Sequence, residues 1–149
     1  MKKLRLIAIV TAVIGLAVST YLSVAKLANK DVLCFVGASD CNIVNSSGYS
    51  MWRGIPVAIL GVLGYVLILT ILLILSKQKN ESSVIMLALF SVTLFGMLYS
   101  LYLTYVEIFI IHAICPWCLT SATAMFVLFI ISAIFLGRSK ILTTIHQEE

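Results

Sequence analysis

Residues 113–137 read AICPWCLTSATAMFVLFIISAIFLG, 25 positions without a charged side chain, and the run opens on the pair Cys115 and Cys118. A helix needs roughly 20 apolar residues to cross the hydrocarbon of a bilayer, so this stretch is long enough to span. Pro116 suits the first position of a helix, where its missing N–H costs nothing. Two residues between cysteines is the spacing of a redox dithiol. The last helix is therefore expected to begin with chemistry and continue as a membrane span.

Three further charge-free runs lie upstream, Leu6 to Ala25, Gly54 to Ser76 and Ser82 to Val106, of 20, 23 and 25 residues. With 62% hydrophobic residues, 11% charged residues and a mean hydropathy of +1.14, the chain does not have the composition of a soluble globule. The expected fold is all-α: one integral membrane domain over residues 1–149, a four-helix bundle with spans at about 6–25, 55–76, 82–106 and 115–137. An extracytoplasmic loop, 26–54, carries a cysteine pair.

The net charge of +4 does not signal nucleic acid, because the basic residues cluster beside the spans. Lys2, Lys3, Arg5, Lys77, Lys79, Arg138 and Lys140 fall on one side of a four-span arrangement, against Lys26, Lys30 and Arg53 on the other. Seven against three puts both termini in the cytoplasm, in a cell inner (plasma) membrane. All four cysteines then face the exterior, where disulfides persist. Residues 1–25 also have the basic start of a secretory signal, but their uncharged run exceeds the usual length of about 7 to 15, and a retained first helix is expected. Gly15 reads as an ordinary membrane glycine, and Gly61 with Gly64 as a tight packing face on the second helix.

Cys34 and Cys41, with six residues between them in the loop, close easily as a local disulfide. Alone, the pair is a staple for an exposed loop. Beside a second pair on the same face it reads as the first half of a relay in which electrons pass by thiol exchange. Tyr49 and Trp52 are placed at headgroup level, with Ser46 or Ser47 facing solvent or a pocket. Pro56 fits the first turn of the second helix. Along the third span, Ser91, Gly96 and Ser100 suggest a packing seam and Tyr99, Tyr102 and Tyr105 an aromatic belt.

Glu107 and His112 sit just before the dithiol, either at the membrane surface or in a position to carry protons for a redox reaction. Arg138 to Glu149 is expected to be a frayed polar tail. With Cys115 capping the final helix, Cys118 falls at its third position, within reach of the unsatisfied N–H groups that favour a thiolate. Trp117 and Leu119 make the surroundings apolar, and the natural oxidant there is a membrane quinone. Other cysteine chemistries fit poorly. A c-type haem site wants histidine where Leu119 stands, and zinc sites pair two C-x-x-C knuckles. No metal site is expected.

The residues also resemble a known family. Cys34 and Cys41 in the loop, Val44-Asn45-Ser46-Ser47-Gly48-Tyr49, Gly54-Ile55-Pro56 opening the second helix and Cys115-Pro116-Trp117-Cys118 opening the last are similar to the vitamin K epoxide reductase family, particularly its bacterial members. The resemblance covers nearly the whole chain. It implies a four-helix bundle around a quinone, ubiquinone or menaquinone, and a thioredoxin-like, DsbA-like partner outside the cytoplasm. By position, the partner would attack Cys34, Cys41 would pass electrons to Cys115 through a transient disulfide, and Cys118 would reduce the quinone. Ser47 would hydrogen-bond a ring oxygen, with Tyr49, Trp52 and Trp117 as further pocket candidates.

Two positions depart from the animal enzyme of the family. Ala122 stands where a tyrosine follows the last cysteine by four residues, and Ile55-Pro56-Val57-Ala58 holds no counterpart of the pocket asparagine. Disulfide formation is thus expected rather than epoxide reduction. With about a dozen residues after the last span, the partner is expected to be a separate protein. Two readings stand against a role in disulfide formation: an enzyme for which a reduced vitamin K-like quinone is the product that matters, and a non-catalytic membrane scaffold with two structural disulfides.

Overall fold

The computed structural model describes residues 2–28, 32, 40–52, 55–77 and 83–147. Helix α1 spans Lys2–Leu27, a short α2 spans Asp40–Ser46, α3 spans Val57–Lys77, α4 spans Ser83–Val106 and α5 spans Pro116–Gln147. Between α2 and α3 lie a 3₁₀ turn, Gly48–Ser50, and a small antiparallel hairpin in which Met51 pairs with Pro56 and Trp52 with Ile55. Four helices are long and apolar enough to cross a membrane, the third counted as Ser83–Ile111 and the fourth as Pro116–Arg138. The fold is the all-α bundle expected, and the protein is a multi-pass membrane protein.

Bilayer interior offers no water to backbone groups, which is why the charge-free runs form uninterrupted helices that satisfy their own N–H and C=O groups. Hydroxyls inside the spans are satisfied the same way. Thr20, Ser23, Thr70, Ser76, Ser91 and Thr104 each donate to the carbonyl four residues back. Large apolar side chains such as Leu63, Leu73, Phe95 and Leu98 remain exposed on the outside, where lipid is the solvent.

Within the bundle, α1 packs on α3 and α5, and α4 packs on α5. Gly15 makes the α1–α3 approach possible: a Cβ there would overlap the Tyr65 ring. Gly61 does the same in the other direction, since a Cβ would lie 2.9 Å from Ser19 Oγ. Gly15 is thus a close-packing position and not an ordinary membrane glycine, because its partner is a large ring fully buried on another helix. At Gly64 a Cβ would meet open space, so only Gly61 of that pair supports tight packing.

Two boundaries differ from expectation. Pro56 ends the hairpin and α3 starts one residue later, so the proline precedes the helix instead of opening it. The tail from Arg138 continues as helix to Gln147, since nothing from Ser139 to Gln147 is a helix breaker.

Candidate functional site

The final helix starts as its sequence dictates. Pro116 is its first residue, the Cys115 carbonyl accepts from the Leu119 N–H at 3.0 Å, and the Cys118 N–H reaches Cys115 Sγ at 3.4 Å. Cys115 is therefore the side-chain cap, its sulfur receiving a donor that the first helical turn leaves without a partner. The helix-end stabilisation lands on Cys115 and not, as expected, on Cys118. Hydrogen bonding from the Cys118 side chain, with the Cys118 and Trp117 N–H groups, holds the Cys115 thiol below the usual thiol range, against burial and the nearby Glu107 carboxylate. Both residues are free thiols, Cys115 buried and Cys118 partly so.

The approach to this helix is unusual. After α4 the chain widens into a π-helical turn, Glu107–Ile111, and closes at His112, whose φ of 56° is left-handed. The Glu107 carbonyl accepts from the N–H groups of both His112 and Ala113, which pins the turn. Glu107 consequently faces inward. It is buried, with its carboxyl in hydrogen-bonding reach of the Cys115 N–H and of the Cys118 thiol, whose one proton can go to it or to Cys115 Sγ. Sequence reasoning offered a surface position or a proton-carrying one for Glu107. His112, by contrast, is exposed.

Cys41 sits on α2, fully buried and disulfide-bonded, in the same apolar cluster as Cys115, Val18, Leu22 and Val44. Cys34 lies outside the described residues, as does the side chain of Trp52. Among the described residues no group of three or more His, Cys, Asp or Glu side chains is arranged to hold a metal ion.

A cavity of about 130 Å³ opens beside the dithiol. That is roughly ten times the space one water needs. Its walls come from α1 (Ser19, Leu22), the α2 region (Val44, Ser47, Tyr49, Ser50), the start of α3 (Pro56, Val57, Ala58), the end of α4 (Ser100, Leu103, Thr104, Val106), the π turn (Glu107, Ile111) and α5 (Cys118, Ser121, Ala122), with Cys115 at its edge. Such a mostly apolar chamber with a few placed polar groups is the form of a small-molecule site. Ser47 and Tyr49 line it with the dithiol. Trp117 does not; its ring packs on Tyr21, centroids 5.5 Å apart.

The floor of the cavity is held by hydroxyl chains. Lys26 Nζ donates to Ser50 Oγ at 2.9 Å, Ser50 Oγ to the Ser47 carbonyl and Ser47 Oγ to the Val44 carbonyl, each at 2.7 Å. On the opposite wall the Tyr65 hydroxyl donates to the Ser121 carbonyl at 2.7 Å. Sequence reasoning missed Tyr65 and Ser121, which lie 56 residues apart and show no local pattern.

Four apolar spans, a disulfide-bonded cysteine on α2 and two free thiols beside a mostly apolar cavity define a multi-pass membrane protein with a redox-type thiol site. The model of the vitamin K epoxide reductase family matches residues 6–133, and the chain belongs to that family. Members are generally quinone-reducing thiol oxidoreductases, so membership implies a quinone substrate and a redox partner.

Proposed function

We propose that the protein reoxidises a thioredoxin-like, DsbA-like partner outside the cytoplasm and passes two electrons to a membrane quinone, ubiquinone or menaquinone, in support of disulfide formation. One observation carries this reading: the free thiols of Cys115 and Cys118 border an apolar cavity while Cys41, disulfide-bonded, is buried in the cluster that holds Cys115. An oxidised loop cysteine and a reduced dithiol in one apolar cluster suit thiol exchange between the two pairs.

In this reading a partner thiolate attacks Cys34 and Cys41 is released as a thiol; the partner's second thiol then attacks the mixed disulfide, which leaves the partner oxidised and Cys34 free. Cys41 attacks Cys115 of the oxidised inner pair, forming a Cys41–Cys115 disulfide and freeing Cys118. Attack by Cys34 on Cys41 restores the loop disulfide, and the inner pair is left as two thiols. Per turnover the partner loses two electrons and two protons, and the quinone gains both. The quinone supplies a two-electron acceptor that dissolves in the bilayer. Leu22, Val57 and Leu103 offer its ring an apolar bed, and Ser47 a hydrogen bond to a ring oxygen. Because the Ser47 hydroxyl already donates to Val44, it must turn away from that carbonyl to serve the ring.

The charge distribution supports an orientation with both termini cytoplasmic and the cysteines extracytoplasmic, in the cell's inner membrane. Ala122 lines the cavity with a methyl group where the animal enzyme places a tyrosine, which favours quinone over epoxide as the acceptor. The test is purified protein with a reduced thioredoxin-like partner and a panel of quinones. Quinone-dependent appearance of oxidised partner is the expected result; no oxidation with any quinone would reject the reading.

A further inference from the structure

The thiol exchange just described assigns no step to Glu107, yet its carboxyl lies beside the dithiol on the cavity wall. Among the described residues lining the cavity it is the single acid, and no Lys, Arg or His lines it. It is 6% exposed, lines the cavity with Cys118, and has its carboxyl in hydrogen-bonding reach of the Cys118 thiol and the Cys115 N–H. Burying a carboxylate without a cation is costly, and an ionisable group at this depth of a span marks a working site. The π turn is the device that brings it there. Without the widened turn, a side chain eight positions before Cys115 would not fold back onto the dithiol that follows.

We propose that Glu107 is the proton relay of the inner dithiol: its carboxylate takes the proton from Cys118 Sγ and hands it to an oxygen of the quinone in the cavity. This rests on the quinone reading above. Oxidation of the dithiol breaks two S–H bonds and forms one S–S bond. The two electrons go to the quinone, whose two oxygens become O–H. Glu107 moves one of the two protons, from Cys118 Sγ to its own Oε and on to a ring oxygen, and ends the turnover as it began. The second proton, that of Cys115, is exchanged with water. The carboxyl gives Cys118 an acceptor already in place beside the cavity.

The test uses the full-length protein in lipid nanodiscs as wild type, Glu107→Gln and Glu107→Asp. In the reduced protein without quinone, the infrared S–H stretch of Cys118 is expected to lie lower in the wild type than in Glu107→Gln, because a carboxylate is the stronger acceptor. With ubiquinone or menaquinone added, single-turnover loss of the inner thiols should slow about 100-fold or more in Glu107→Gln and less in Glu107→Asp. Exchange between Cys41 and Cys115, trapped without quinone, is measured beside it, and a loss there as large as the loss of quinone oxidation would overturn the relay. Quinone oxidation of Glu107→Gln at the wild-type rate overturns the relay, as does an unmoved S–H band. Should the Gln variant not fold, Glu107→Asp carries the same two readouts, and wild-type values for both overturn the relay. A wild-type protein that reduces no quinone overturns the functional reading, and the delivery step with it; the S–H band still decides separately whether the carboxylate holds the Cys118 proton.

Discussion

Near the beginning of α1, Ala8 and Ala12 meet Ile68, Leu72 and Leu75 of α3, Met86 and Leu89 of α4, and Leu128, Ile131 and Phe135 of α5, in one continuous apolar cluster. Toward the other end the same helices part around a chamber, and the buried cluster there is smaller, built from Val18, Leu22, Cys41, Val44 and Cys115. One end is filled and the other left hollow. Small residues explain part of the contrast: Ser19, Ala58, Ser100, Ser121 and Ala122 line the hollow end, where larger side chains would fill it. A bundle can hold a cavity in lipid when its opposite end locks the helices together, since van der Waals packing is a main force between spans.

The contrast is broken most severely at the dithiol. Cys118→Ala or Cys115→Ala should abolish thiol-dependent quinone reduction, a loss of about 1,000-fold or more, because the disulfide cannot form. Thermal stability should stay near wild type. Full activity in either variant, assayed with purified protein, would remove the inner pair from the chemistry.

Leu72→Ala tests the packed end. It should lower stability by about 2 kcal/mol, the small end of the range for such truncations, because lipid is as apolar as leucine and only the cavity contribution remains. Quinone turnover per folded molecule should not change, and denaturation curves beside activity assays would separate the two.

Ser47→Ala should raise the KM for quinone by roughly fivefold, the equivalent of about one neutral hydrogen bond, and leave thiol exchange between the cysteine pairs alone. An unchanged KM would take Ser47 out of ring binding. The smallest effect is expected at Thr93→Val. Thr93 and Ser132 share a buried hydrogen bond of 2.7 Å between α4 and α5. Bonds of this kind between spans average about 0.6 kcal/mol, so a small stability loss with no kinetic change is expected.

Much of this was legible in the residues. Uncharged runs located the spans, since a membrane helix leaves its length and composition in the sequence, and Cys-Pro-Trp-Cys announced both a helix start and a dithiol. What escaped was long-range. Nothing around Gly15 says that Tyr65 will pack on it, because the partner lies on another helix. The inward aim of Glu107 depends on a π turn, which leaves no hydrophobic period of its own. The start at Pro116 with Cys115 as its cap was legible, but that the cap's own sulfur takes the Cys118 N–H depends on the side-chain rotamer, which leaves no mark in the sequence. Trp117, an apolar residue inside the motif, went to Tyr21 and not to the cavity, a choice made by neighbouring rings.

The cavity walls begin at Ser19 and finish at Ala122, with contributions from nearly every element between. The site is therefore the last thing to be completed as the chain is synthesised. A nascent chain halted after α4 holds the loop cysteines and most of the chamber's polar groups but neither Cys115 nor Cys118. Insertion of the final helix brings the reactive sulfurs and closes the wall behind them in one step. Quinone chemistry thus waits for the bundle to be whole.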